Sequence, residues 1–316
     1  MVSPSLLRIG TRGSPLALAQ AHETATRLAT AHPALAAEDA VEIVVIKTSG
    51  DRIQDRTLAE AGGKGLFTKE IEEALLDGRI DAAVHSMKDL PTWLPAGLGI
   101  VAILPREDPR DAWFSRGGES LRDLPAGAVV GTASLRRQAQ VLLARPDLKV
   151  APLRGNVQTR LNKLRDGAVE ATLLAQAGLK RLGLADKATA LLSTEEMLPA
   201  VAQGAIGIET RLDDSHTRDW IGALNDPQSE RRVAAERACL EVLDGSCRTP
   251  IAALADWNPD GRTLSLRALV AMPDGSQAYR TAREGDAAEA ERLGRAAGEE
   301  LRAQAGPDFF AALAAH

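Results

Sequence analysis

Cys247 lies in Leu-Asp-Gly-Ser-Cys-Arg-Thr-Pro, residues 243–250, and is one of two cysteines in the chain. An ionised thiol is a nucleophile. Arginines spread through the first two thirds of the sequence supply permanent charges whose planar forks grip carboxylates bidentately. Together these residue types point to a covalently held group that carries several carboxylates. From its surroundings alone Cys247 also reads as a small buried thiol. Cys239 sits in the helix-like Ala-Ala-Glu-Arg-Ala-Cys-Leu-Glu, residues 234–241. A disulfide framework is not indicated. Neither cysteine belongs to a Cys-x-x-Cys pair, and histidines 22, 32, 85, 216 and 316 form no ligand spacing, so no metal site is expected.

The arginines recur in one setting. Gly-Thr-Arg-Gly-Ser-Pro-Leu-Ala-Leu places Arg12 and Ser14 ahead of Pro15, a residue suited to the first helical position. Gly-Thr-Ala-Ser-Leu-Arg-Arg places Thr132 and Ser134 before a helix carrying Arg136 and Arg137. Leu-Arg-Gly-Asn-Val-Gln-Thr-Arg supplies Arg154, Asn156 and Arg160. Any Ser or Thr here taken singly reads more readily as only a helix cap, and each arginine singly reads equally as part of a solvated face. Three strand-to-helix turns with the same chemistry point to one shared polyanion at the carboxyl ends of parallel strands.

Asp-Ala-Ala-Val-His-Ser-Met-Lys-Asp-Leu-Pro puts His85, Ser86, Lys88 and Asp89 just after an apolar run. A carboxylate there can stabilise a developing cation or exchange protons, which makes Asp89 the candidate catalytic acid. By spacing alone it also reads as a surface ion pair worth about 0–1 kcal/mol. His85 reads as a hydrogen-bonding residue at a strand end. Gly-Gly-Lys-Gly at 62–65 resembles a phosphate loop, but Leu58 and Gly65 stand where that motif requires glycine and Ser or Thr. The glycine-bounded stretch before it is expected to be a mobile lid over a cleft, with Lys64 and Phe67 at its edge.

Alternation of short β-like runs with longer amphipathic ones sets the elements. Strands are expected at 6–10, 41–48 and 80–85, with helices at 15–30 and 66–76. A second set follows, with strands at 129–131, 150–153 and 171–175 and helices at 134–144 and 157–165. This βαβ order implies mostly parallel sheets with helices on both faces. Beyond Pro227 a helix at about 230–243 leads into apolar runs 251–257, 263–272 and 277–281, separated by Asn-Pro-Asp-Gly and Pro-Asp-Gly-Ser turns. The expected architecture is two similar hinged α/β lobes that resemble periplasmic-binding-protein domains, plus a smaller α+β C-terminal domain with a three-stranded antiparallel sheet. The expected domains are 1–104 with 203–222, then 105–202, then 223–316. The chain crosses twice between the first two, which suits a hinge with ligand in the cleft.

A chain of 316 residues with 45% apolar content can bury several cores. A net charge of −5 and 3% aromatics suit neither duplex nor single-stranded nucleic acid. The opening residues show no basic-then-apolar export pattern, and no later run approaches the roughly 20 apolar residues of a membrane span. A soluble cytoplasmic protein is expected, with no nucleic-acid or membrane partner.

Seven strings in order carry a resemblance: Thr-Arg-Gly-Ser-Pro-Leu-Ala-Leu-Ala-Gln, Gly-Gly-Lys-Gly-Leu-Phe, His-Ser-Met-Lys-Asp-Leu-Pro, Gly-Thr-Ala-Ser-Leu-Arg-Arg-Gln, Leu-Arg-Gly-Asn-Val-Gln-Thr-Arg, Ala-Gly-Leu-Lys-Arg-Leu-Gly and Gln-Gly-Ala-Ile-Gly-Ile-Glu. The chain resembles the porphobilinogen deaminase, or hydroxymethylbilane synthase, family. The resemblance implies a transferase of tetrapyrrole biosynthesis. Such an enzyme joins four porphobilinogen units into the linear hydroxymethylbilane with loss of ammonia at each addition, primed by a dipyrromethane cofactor on a cysteine thioether. It implies attachment at Cys247, and at Asp89 the carboxylate that stabilises the azafulvene-like cation. By the same resemblance Lys88, Ser134, Arg136 and Arg137, with Ser86 and His85, surround the cofactor. Arg12, Ser14, Arg154, Arg160 and Arg181 bind acetate and propionate groups, joined by Gln20, Thr132, Asn156, Gln203, Lys64 and Phe67. A monomer is expected. Two departures from the family pattern are Ser246 in place of a second glycine before Cys247, and Ala133 where serine is common.

Two rivals remain at this point. A two-lobed solute-binding or effector domain binds anions without needing Cys247 or Asp89. An enzyme of another amine-releasing reaction on an anionic substrate differs only in its product.

Overall fold

A computed structural model describes residues 6–52, 68–243 and 249–315, with the side chains of 51 and 52 left aside. Cys247, Ser246, Lys64, Phe67 and most of the expected lid lie outside the described residues. In chain order the elements are β1 Leu7–Thr11, α1 Pro15–Ala31, β2 Val41–Val45, α2 Ser49–Arg52, α3 Lys69–Leu76, β3 Ala82–Ser86, β4 Leu98–Ile103 and β5 Asp111–Ser115. There follow β6 Val129–Gly131, α4 Leu135–Ala144, β7 Lys149–Ala151, α5 Val157–Arg165, β8 Ala171–Ala175, α6 Gln176–Arg181, β9 Ala190–Leu191 and β10 Ile206–Arg211. The chain ends with α7 Ser215–Gly222, α8 Pro227–Val242, β11 Ile251–Trp257, β12 Thr263–Ala271, β13 Ala278–Asp286 and α9 Ala290–Ala314.

These elements divide between two compact units, the first made of 1–56, 61–107 and 204–230, the second of 57–60, 108–203 and 231–316. The first unit holds a sheet in the order β2-β1-β3-β10-β4. β1 runs parallel to β2 and β3, while β10 enters antiparallel between β3 and β4. Alternation along β3 explains its two-sided cover. Ala82 and Val84 join Leu7, Ile9, Leu28 and Ile221 on one face. Ala83 joins Ile71, Leu75 and Ile80 on the other.

The second unit repeats the plan as β7-β6-β8-β5-β9, again with three parallel strands and an antiparallel insertion, here β5. Trp113 faces Val130, Val141 and Leu173, whereas Ala112 and Phe114 face Leu153, Leu164 and Leu179. The antiparallel sheet β11-β12-β13 belongs to this same unit. It packs through Ala252, Leu254, Leu269 and Ala271 on Ala139 of α4 and on Leu198.

Two strand-to-strand returns place chemistry. In the first unit a Cβ on Gly207 of β10 would run into the Met87 side chain, so glycine there lets the single turn Met87–Asp89 tuck beneath the strand. In the second unit Glu236 of α8 is fully buried and accepts the N–H of Ala202 at 2.6 Å and of Ala255 at 2.8 Å. Ala202 is the described non-glycine residue with positive φ, at 57°. A buried carboxylate on its N–H helps hold that conformation, which costs of order 1–3 kcal/mol.

Candidate active site

In the first unit an open cavity is lined by Arg12, Ser14, Gln20, Thr68, His85, Ser86 and Asp89 together with apolar residues. Its floor comes from the carboxyl ends of parallel strands, where helix N-termini face open space. Ser14 caps α1, its Oγ accepting the Ala17 N–H at 3.3 Å, and Pro15 opens the helix. Arg12 therefore projects from a turn pinned on both sides. Gln20, one turn into α1, exchanges hydrogen bonds with Ser86: its Nε2 donates to Ser86 Oγ at 2.9 Å, and Ser86 Oγ donates back to Oε1 at 3.0 Å. This pair ties α1 to the end of β3, from which the turn Met87–Asp89 departs. Asp89 is exposed at the cavity, while Lys88 beside it is half-buried.

The second unit gathers a different set. Ser134 caps α4 by accepting the Arg137 N–H at 3.4 Å, and Thr132 Oγ1 accepts the Ser134 N–H at 3.1 Å. These caps aim the first turn of α4, and with it two arginines, at the fully buried Asp111 of β5. Arg137 donates through Nη2 at 2.7 Å and Nε at 3.3 Å to Asp111 Oδ1, and through Nη1 to Leu173 O. Arg136 Nη2 forms an ion pair with Oδ2 at 2.8 Å, and its Nη1 donates to Leu198 O. Gln203 Nε2 reaches the same Oδ1 at 3.0 Å. Burial alone would raise the Asp111 pKa, but the two guanidiniums and the bonds from Arg137 and Gln203 hold it far below the usual carboxylate range.

Two positive charges thus meet one negative charge, and the cluster's remaining donor, Arg136 Nε, is buried without a hydrogen-bond partner among the described residues. The next strand-to-helix turn repeats this. Asn156 caps α5, accepting the Thr159 N–H at 2.9 Å, and Arg160 Nε donates to Gly155 O. Gly155 has φ +121°, a conformation that glycine permits. Arg154 beside it has a buried Nη1 with no described partner. Arg181 stands in the last turn of α6. Buried guanidinium donors left open are costly unless an anion meets them, so both sites fit a group bearing several carboxylates.

The sequence expectation missed Asp111, Glu209 and Glu236. All three are fully buried acids. Acidic residues are ordinarily read as surface, and although Glu209 closes the string Gln-Gly-Ala-Ile-Gly-Ile-Glu, no spacing marks any of the three as buried.

Comparison with known proteins decides the family. The family described as porphobilinogen deaminase, dipyromethane cofactor binding domain, matches residues 7–219, and the porphobilinogen deaminase C-terminal domain matches 231–303. The chain belongs to the porphobilinogen deaminase family. A chloroplastic porphobilinogen deaminase of Oryza sativa subsp. japonica is 60% identical over 98% of this chain and 87% of its own length. A porphobilinogen deaminase of Nitrobacter winogradskyi is 58% identical over 98% of this chain and 96% of its own. Among solved structures, a TRAP periplasmic solute binding protein from Desulfovibrio salexigens aligns over 72% of this chain and 74% of its own at 10% identity, with a TM-score of 0.42. No helix among the described residues is long and apolar enough to cross a membrane.

Proposed function

We infer that this chain is a transferase condensing four porphobilinogen molecules into hydroxymethylbilane with release of ammonia, primed by a dipyrromethane on the sulfur of Cys247. The observation that carries this is the family match across both parts of the chain, joined to a cavity that brings Asp89 to Arg12, Ser14 and Gln20. When bound, the dipyrromethane supplies the nucleophilic ring carbon on which the chain grows.

The residues' own tasks follow from their chemistry. Asp89 sets a negative charge beside the positive carbon that forms as ammonia leaves porphobilinogen, and fixed charge near a developing cation is among the larger catalytic effects. Arg12 binds substrate carboxylate, a charge-assisted bond contributing about 1.5–3 kcal/mol. Arg136 and Arg154 offer their open donors to cofactor or product carboxylates, and Arg160 and Arg181 add charge. Arg137 and Gln203 act at one remove, since described donors of both go to Asp111. Ser134, Thr132 and Asn156 shape the turns that aim these arginines. Lys88, Ser86 and His85 complete the wall at the end of β3, with Lys64 and Phe67 as further substrate contacts. A cytoplasmic, single-chain working form is part of this reading; unpaired cysteine usage suits a reducing compartment.

Intact mass tests it. Purified active protein is expected to exceed the sequence mass by one dipyrromethane, and active protein of unmodified mass rejects attachment. Asp89→Asn is expected to keep that added mass and lose turnover by about 10²-fold or more; near-normal rates would remove Asp89 from the mechanism.

A further inference from the structure

His85 and Glu209 form a buried pair to which no step above gives a chemical task. His85 is 6% exposed and Glu209 fully buried, though 124 residues separate them. In the antiparallel register Ser86 pairs Ile206, His85 pairs Gly207 and Ala83 pairs Glu209, which sets the two side chains diagonally on one face of the sheet. The imidazole Nε2 lies 2.9 Å from Glu209 Oε2. Glu209 Oε1 is buried and takes no described hydrogen bond, so this carboxylate is committed to the imidazole. Because His85 also lines the cavity that holds Asp89, the pair joins the protein interior to the site.

A carboxylate accepts but does not donate, so its contact fixes the hydrogen of a neutral ring on Nε2. Nδ1 then carries a lone pair, and no hydrogen bond to it is found among the described residues. This is the arrangement in which a carboxylate orients an imidazole as a base and stabilises it once protonated. The titratable and charged groups around the ring are Glu209 on β10, Glu72 on α3, and Asp89 and Arg12 at the cavity. The Glu72 carboxyl is pushed up, first by burial and further by Glu209, with a hydrogen bond to Thr68 and the nearby His85 opposing. The carboxyl group in direct contact with the imidazole is that of Glu209, 2.9 Å away.

We propose that His85 is a second catalytic residue, the base for the proton released at each condensation, and that Glu209 is its positioning residue. This rests on the condensation reading above. In each cycle the carbon–nitrogen bond of the substrate breaks and its electron pair leaves with ammonia. A carbon–carbon bond forms with the attacking ring, whose C–H electron pair returns to the ring as Nδ1 of His85 takes the proton. The imidazolium, held beside Glu209, passes that proton to the departing ammonia, which leaves as ammonium. Atoms and charge balance without an added reactant.

The test uses full-length, loaded protein labelled at its five histidines. Imidazole ¹⁵N shifts are expected to show His85 as the Nε2–H tautomer in the active pH range; an Nδ1–H ring, or an imidazolium throughout that range, overturns the proposal. His85→Gln, which can still donate to Glu209, is expected to lower kcat by about 10²-fold or more. Its KM should stay within a few fold, its added mass should remain, and the acid limb of its pH profile should disappear. Glu209→Gln is expected to lower kcat by about 10–100-fold with the same loss of that limb. His85→Gln with wild-type kcat and pH profile overturns the proposal. If variants fail to fold, the wild-type tautomer alone decides. Wild-type protein that forms no linear tetrapyrrole refutes the condensation reading, whereas product formation undiminished by His85→Gln refutes only the role of His85.

Discussion

Asp111 and Arg137 meet inside the second unit, the carboxylate Oδ1 accepting Arg137 Nη2 at 2.7 Å where neither side chain is open to water. Asp111 comes from β5 and Arg137 from the first turn of α4, so one ion pair joins the inserted antiparallel strand to the helix that carries two arginines. With Arg136 on Oδ2, a single acid organises both guanidiniums.

Removing that acid should be costly. Asp111→Ala leaves two buried guanidiniums without their counter-charge, and breaking a buried pair in this way costs about 3–5 kcal/mol. Urea unfolding is the check; a loss below 1 kcal/mol would show that water reaches the cluster.

The same pair makes stability depend on acid. The folded pKa of Asp111 is depressed from its ordinary 3.8, so its contribution is present above that value and is lost as pH falls toward the lower, folded value. Urea midpoints measured from pH 7 to pH 3 should decline below about pH 4. That component should be missing from Asp111→Asn. A wild-type and variant pair declining in parallel would assign the acid sensitivity elsewhere.

Cys239 should be silent in the folded protein. It is free and fully buried, and burial pushes its thiol up to about 12, with Glu236 adding to the rise. Alkylation of loaded native protein at pH 8 should leave Cys239 unmodified, because the thiolate is the reactive form. After unfolding, loaded protein should titrate as one thiol and unloaded protein as two. Two thiols in active material would contradict a thioether at Cys247.

The helices α8 and α9 approach through glycine. A Cβ on Gly298 would lie 2.7 Å from Val242 Cβ and 2.9 Å from the Cys239 carbonyl oxygen, and one on Gly294 would strike the Ala235 carbonyl. Gly298→Ala is therefore expected to lower stability by about 1–3 kcal/mol through overpacking, despite the better helix propensity of alanine. Thermal unfolding of the loaded protein checks this; an unchanged or raised Tm would mean that the helices can separate.

Much of this is legible in the sequence itself. Ser14, Ser134 and Asn156 announce helix starts because a cap is a bond between residues three apart, and each does cap its helix. The apolar runs of β3 and β8 are recognisable for a similar reason. They are buried on both faces and read as nearly unbroken hydrophobic strings. β5 and β10 escaped notice. β5 begins with an aspartate and ends with a serine, and β10 holds a glutamate and a threonine. Their strand character is imposed by neighbours on both edges, distant in sequence.

Residue types and short spacings settled the family, the βαβ plan and the strings that carry the chemistry, since caps, periodicity and turns are local interactions within a few positions. Long-range return of the chain chose which acid neutralises which base. Asp111 becomes the counter-charge of Arg136 and Arg137, and Glu209 the partner of His85, because β5 and β10 are inserted beside strands formed far away in the sequence. Charge pairing in a dry interior depends on distance through space, and nothing in the spacing of residues along the chain encodes that distance.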